Sequence, residues 1–219
     1  CSLFAGPYTV THHKSTLLIA CLFSFFNAGS GTNQSNHMYK LGPVHQGIVD
    51  RGSKTGSFAY LLLPCRIGAY TVVMGKHYAN FDTSDFPFSY ISEEKGKSEI
   101  TPAMNLFTVG TRRDIDKWPV RDRRNDPDKL DIIHFDLFNP FIAGKILNGI
   151  NILNELIENT GREQETINYK GILIHRLLLK TARKYYEIGL KVYTGQEVAR
   201  RIGGIDGRSS PDDIRKMLA

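Results

Sequence analysis

Cysteine is scarce and poorly placed for cross-linking: Cys1, Cys21 and Cys65 are odd in number, and no two stand at CxxC spacing. That argues against a disulfide framework and against a cysteine-built zinc site. Long apolar runs are missing as well. The most apolar stretch, Leu17 to Phe26, spans ten residues and includes Ser24, about half of what a membrane-spanning helix needs. No membrane partner is expected, and the cytoplasm is the expected compartment. Nor is there a dominant charge. The 28 Lys and Arg face 22 Asp and Glu, a net charge of +6, and such a mild excess calls for no nucleic-acid partner. A starting methionine is also absent, and the chain opens directly in strand-like sequence, so it is read as a piece of something longer. A lipoprotein start at Cys1-Ser2 would need a flexible polar tether, and Leu3-Phe4-Ala5-Gly6 is not one.

What is present is a six-residue period. From Val49 the chain reads VDRGSK, TGSFAY, LLLPCR, IGAYTV, VMGKHY. The first positions are Val49, Thr55, Leu61, Ile67 and Val73. Four residues after the first four stand Ser53, Ala59, Cys65 and Thr71, all small, whereas His77 breaks the rule. A lone strand shows period two and a helix 3.6. Period six fits a three-sided coil of short parallel strands, in which one apolar side chain per strand stacks inward and a small one fills the corner. Upstream, Phe4, Val10, Thr16, Leu22 and Ala28 are also six apart, but 21 residues separate Ala28 from Val49, so an insertion must intervene. The polar stretch Gly29 to Met38 is placed for it, with the inserted loop at about 29–46.

The fold expected is mainly β: a left-handed parallel β-helix, then an extended arm, then a helical C-terminal region. Residues 1–78 form the end of the β-helix, 79–130 the irregular arm, 131–202 a helical cap or docking region, and 203–219 a tail. Asn139 and Pro140 make a helix start, followed by an apolar face through Ile142, Ile146, Ile150, Leu153 and Ile157 that Gly161 ends. A second helix is expected from about Gly171 to Tyr193.

The runs GPYTVTHHKSTLLIA (Gly6 to Ala20), NAGSGTNQSNHMYKLGP (Asn27 to Pro43), RIGAYTVVMGKHY (Arg66 to Tyr78) and KWPVRDRRNDP (Lys117 to Pro127) resemble a family of large bacterial left-handed β-helix, hexapeptide-repeat proteins catalogued as a domain of unknown function. In fold that family is similar to trimeric acyltransferases of the UDP-N-acetylglucosamine acyltransferase type and to the tails of sugar-phosphate nucleotidyltransferases. The resemblance implies a fold and a homotrimer, and brings no activity of its own.

Acyl transfer needs a base, polar groups for the acceptor and a donor site for an acyl-thioester. Histidine is the usual base because it titrates near neutrality. The catalytic candidates are His37, in the inserted loop, with His13 and His12 at a coil corner. Asn33, Asn36, Lys14 and His45 would hold the acceptor. Arg112 and Arg113 would grip phosphates of a cofactor or sugar nucleotide, although the neighbouring aspartates can pair with them. No metal ligands are assigned, since adjacent histidines cannot easily share one ion. No cofactor is fixed by the residues, acyl-CoA being the donor that such a transfer implies. The function expected is an acyltransferase-like transferase acting on a sugar or sugar nucleotide. The alternative is a non-catalytic oligomerisation or ligand-binding module, such as the regulatory part of a nucleotidyltransferase-like protein.

Overall fold

The computed structural model describes residues 3–12, 17–18, 21–35, 46–203, 210–212 and 215. The first twelve strands are dealt in turn to three sheets. One holds β1 (Phe4–Ala5), β4 (Cys21–Phe23), β7 (Gly47–Val49) and β10 (Arg66–Ile67). A second begins with β2 (Val10–Thr11), β5 (Asn27–Ala28), β8 (Lys54–Thr55) and β11 (Val72–Val73). The third holds β3 (Leu17–Leu18), β6 (Asn33–Ser35), β9 (Tyr60–Leu62) and β12 (Lys76–His77). Every pairing within these sets is parallel. Paired residues lie 16–18 positions apart in the chain, except across one rung, where 26 or 27 positions intervene.

The chain as a whole is not the mainly β, left-handed parallel β-helix with an extended arm that the six-residue spacing suggests. Its largest sheet is mixed. Beyond β11 it continues into parallel β13 (Tyr90–Glu94), antiparallel β14 (Lys97–Thr101), and then the antiparallel pair β16 (Ile172–His175) and β15 (Thr166–Tyr169). The expected arm contains the β13–β14 hairpin and a helix, α1 (Val109–Val120). Two further helices follow, α2 (Pro140–Asn159) and α3 (Leu179–Ile202). The six-residue spacing carries no information past Tyr78, where a period of two takes over. Ile91 and Ile100 in the first hairpin and Ile172 and Ile174 in the second are all buried. Each hairpin turns on a lysine–glycine pair with positive φ, Lys95-Gly96 and Lys170-Gly171, as two-residue hairpin turns require. The second hairpin therefore occupies the first residues of the helix expected from Gly171 to Tyr193, whose remainder lies in α3 from Leu179.

Inward side chains stack in three columns set by the ladder register. One runs Phe23, Val49, Ile67; the next Ala28, Thr55, Val73, Ile91; the third Gln34, Leu61, His77. All are buried. The six-residue phase placed Leu22 inward, but Leu22 is exposed and Phe23 is buried in its place, because the rungs before the insertion do not keep strict six-residue steps. His77 fills its column by forming hydrogen bonds. Its Nδ1 lies 2.9 Å from Ser98 Oγ and its Nε2 3.1 Å from Met74 O. Burial pushes the His77 imidazole down from its ordinary value, so it stays neutral.

One corner carries an aromatic ladder. Tyr8 and Phe25 stack at 5.3 Å, and Tyr70 and Phe88 at 4.8 Å. All four have positive φ, and Gly52 stands at the intervening turn with φ +76. The gap is closed by Trp118 of α1, 4.5 Å from Phe25 and 6.3 Å from Tyr70, and by the Arg51 guanidinium, 4.6 Å over Phe25. Lys54 of β8 also pairs with Asp114 of α1. Further along, Phe138 sits 6.0 Å from Phe88 and 6.3 Å from Tyr193 of α3. The ladder thus ties α1 to the sheets through Trp118 and α3 through Phe138 and Tyr193. α2 starts where Asn139 Oδ1 accepts from Ile142 N at 3.0 Å, and α3 packs along it. Tyr186 of α3, fully buried, donates to the Pro87 carbonyl at 2.6 Å.

Asp50, at the end of β7, is held in this framework at a cost. Burial pushes its carboxyl up to about 6, against the partial relief that Lys145 and Arg66 provide. The folded state therefore holds the Asp50 proton more tightly than the unfolded chain, whose value is near 3.8. Its contribution is fully present below that value and is lost as pH rises through about 6. Asp50→Asn is expected to be more stable than the parent at pH 7, by up to roughly 3 kcal/mol. That gap should shrink towards zero at pH 4 in paired thermal melts. A gap independent of pH would show that Asp50 does not titrate in this window.

Candidate functional site

The outward face of the third sheet carries side chains that the inward columns leave free. Strand alternation puts Asn33, Tyr60 and Lys76 side by side in one register row, beside Leu62 and Tyr78. With Gly31 and Phe58 they line a groove of about 590 Å³. Tyr60 and Tyr78 lie 5.1 Å apart at 33° to one another, and Phe58 and Tyr78 are two-thirds exposed. Phe58 lies over Gly31, where a Cβ would come within 2.7 Å of the ring. The groove thus offers aromatic surface, one carboxamide and one ammonium. None of its seven lining residues is a histidine, a carboxylate or a cysteine.

A second, larger cleft of about 1910 Å³ opens between α1, residues 134–141 and the C-terminal part of α3. Arg112 and Arg113 line it, with Lys117 and Arg121 further along α1. Arg112 Nε pairs with Asp116 at 3.2 Å, while Asp122 pairs with Arg124 at 2.7 Å.

Of the residues singled out in the sequence, Asn33 is in the groove, and Arg112 and Arg113 are in the cleft. His12, at the end of β2, is exposed and its backbone N–H donates to Ala28 O at 3.2 Å; it lines neither space. His13, Lys14, Asn36, His37 and His45 lie outside the described residues. The candidates therefore divide between two separate places. Tyr60, Lys76 and Tyr78 were missed by sequence reasoning. Their signal was that they flank the inward Leu61 and His77, which makes them outward on one face. A third grouping also escaped notice. Glu94, Glu99 and His175 bring one ligand atom each to within 4.8 Å of one another, with His175 Nε2 3.0 Å from Glu99 Oε2. Such a set could take a divalent cation. It draws on three strands that share no sequence spacing.

Among the described residues no helix is long and apolar enough to cross a membrane. In comparisons with known proteins, the family described as Domain of unknown function (DUF4954) matches residues 1–157. No curated protein and no solved structure matches the chain.

Proposed function

We propose a sugar-binding role in group transfer for this chain, which belongs to the DUF4954 family: the groove on the third sheet holds a sugar or sugar nucleotide as acceptor. The observation that carries this reading is the pair of tyrosine rings 5.1 Å apart beside Asn33 and Lys76. Ring faces carry negative quadrupole density that attracts the polarised C–H face of a pyranose or stacks on a nucleobase. The Asn33 carboxamide can donate and accept to hydroxyls, and the Lys76 ammonium suits a phosphate. A concave, mostly apolar site with few polar groups is the usual form of a small-molecule site.

The six-residue spacing and its similarity to hexapeptide acyltransferases support acyl transfer as the chemistry, with homotrimers as the assembly. The acceptor hydroxyl or amine would attack the thioester carbonyl of acyl-CoA. A C–O or C–N bond forms, the C–S bond breaks, and His37 carries the acceptor proton to the departing thiolate. The second reading is ligand binding without catalysis, which the lack of any histidine, carboxylate or cysteine among the described groove residues favours.

Calorimetry with UDP-N-acetylglucosamine, together with thiol release from acetyl-CoA, separates the two. We expect Tyr60→Ala to weaken sugar-nucleotide binding about tenfold. His37→Ala should abolish thiol release while leaving binding in place. Binding without thiol release in the parent would leave the second reading standing. Absence of binding, or binding indifferent to Tyr60, would remove both.

A further inference from the structure

We propose that the cleft under α1 docks an amphipathic helix of a partner protein that carries a row of carboxylates. The site is independent of the groove and makes no use of its ligand. Arg113 and Lys117 on α1 and Arg121, its C-cap, follow one another at four-residue spacing, so they share one helix face. At 1.5 Å per residue the row is about 12 Å long. Among the described residues none of the three makes an ion pair, unlike Arg112 beside them, which pairs with Asp116. A row of free cations of this length matches carboxylates spaced i, i+4, i+8 on a facing helix, which rise by the same amount.

The cleft wall beside this row is apolar and, among the described residues, uncovered. Val109 and Val120 are about four-fifths exposed, and Phe107 and Phe141 about half. Exposed apolar surface concentrated in one place and rimmed by charge marks an interaction site more often than chance. The volume of about 1910 Å³ exceeds the roughly 300–1,000 Å³ of small-molecule sites and suits a helix laid in a groove. A second copy of this chain is the poorer match. None of its described helices bears three carboxylates at four-residue spacing. Charge complementarity of this kind selects the partner and its register.

The test uses the full chain and a fluorescein-labelled synthetic amphipathic helix of about 18 residues, with a leucine stripe flanked by glutamates at every fourth position. Anisotropy is expected to rise on binding and to fall as salt is added. The triple charge reversal Arg113→Glu, Lys117→Glu, Arg121→Glu should weaken binding at least about tenfold. It should also confer binding of a second peptide with lysines in place of the glutamates. The reversed protein should melt within a few degrees of the parent, since among the described residues the three side chains make no ion pair. Failure of the glutamate peptide to bind the parent would overturn the proposal, and so would binding unaffected by the reversal. Tighter binding of phosphatidylserine vesicles than of the peptide would point to a membrane surface instead. Self-association in sedimentation velocity that is lost on reversal would make the occupant a second copy.

Discussion

Gly52→Ala is expected to destabilise the fold by about 3–5 kcal/mol, a drop of roughly 10–15 °C in melting temperature for a chain of this size. Two costs combine. Gly52 has φ +76, where a side chain is strained by about 1–2 kcal/mol. Its new Cβ would also clash with the Cδ1–Cε1 edge of the Tyr70 ring. That ring cannot step aside cheaply, because it is buried and lies nearly parallel to Phe88 at 4.8 Å, with Trp118 on its other flank. Gly96→Ala separates the two costs. Gly96 has φ +79, but nothing lies within 4 Å of its added Cβ, so only the backbone strain remains. Differential scanning calorimetry of both variants decides the matter. If Gly52→Ala loses no more than Gly96→Ala, the aromatic corner yields freely and the ladder is not a rigid element.

The second large effect is expected at Tyr186. Tyr186→Ala should cost about 4–5 kcal/mol, within the range for emptying a buried aromatic site. Tyr186→Phe should cost about 1–2 kcal/mol, since it keeps the ring and leaves the Pro87 carbonyl without its donor. The ring touches α2 where Gly149 leaves room, a Cβ there meeting it at 2.9 Å. The alanine variant should therefore also loosen α3 from α2 and from the sheet. Hydrogen exchange ought to show residues 179–202 losing protection ahead of the strands. Equal losses for the two substitutions would mean that the cavity refills and that the hydroxyl carries the contact.

Legibility in the sequence followed the physics of each element. Val49, Thr55, Leu61, Ile67 and Val73 could be picked out because each inward position had to be aliphatic or β-branched, and all five are buried. The start of α2 was visible because Asn139 and Pro140 satisfy a helix terminus locally. The hairpins were not. Ile172 and Ile174 belong equally to a helix or a strand face, and what settles them is pairing with β15 across the Lys170-Gly171 turn and with β14, far away in the chain. The mixed character of the largest sheet was hidden for the same reason. In the groove, Asn33 was found by its place in the expected inserted loop, although it stands on β6. Tyr60 and Tyr78 meet only through the ladder register, which no local rule supplies. The cleft cations were visible as a basic run, but which of them would be left unpaired depends on the turn of α1.

The rung spacing has a bearing on how the chain reaches this fold. Parallel sheets ordinarily form slowly because their partners lie far apart in sequence. Here the ladder partners of the first twelve strands are mostly 16–18 residues apart, so each rung can close soon after the one before it. The rung with 27 residues adds only about 0.4 kcal/mol of closure entropy. Extra sequence can accordingly be spliced into a rung at almost no thermodynamic penalty. The Tyr186–Pro87 contact, by contrast, bridges 99 residues. Assembly by that logic is a zipper of near neighbours, followed by long-range closure when the helices and the second hairpin dock.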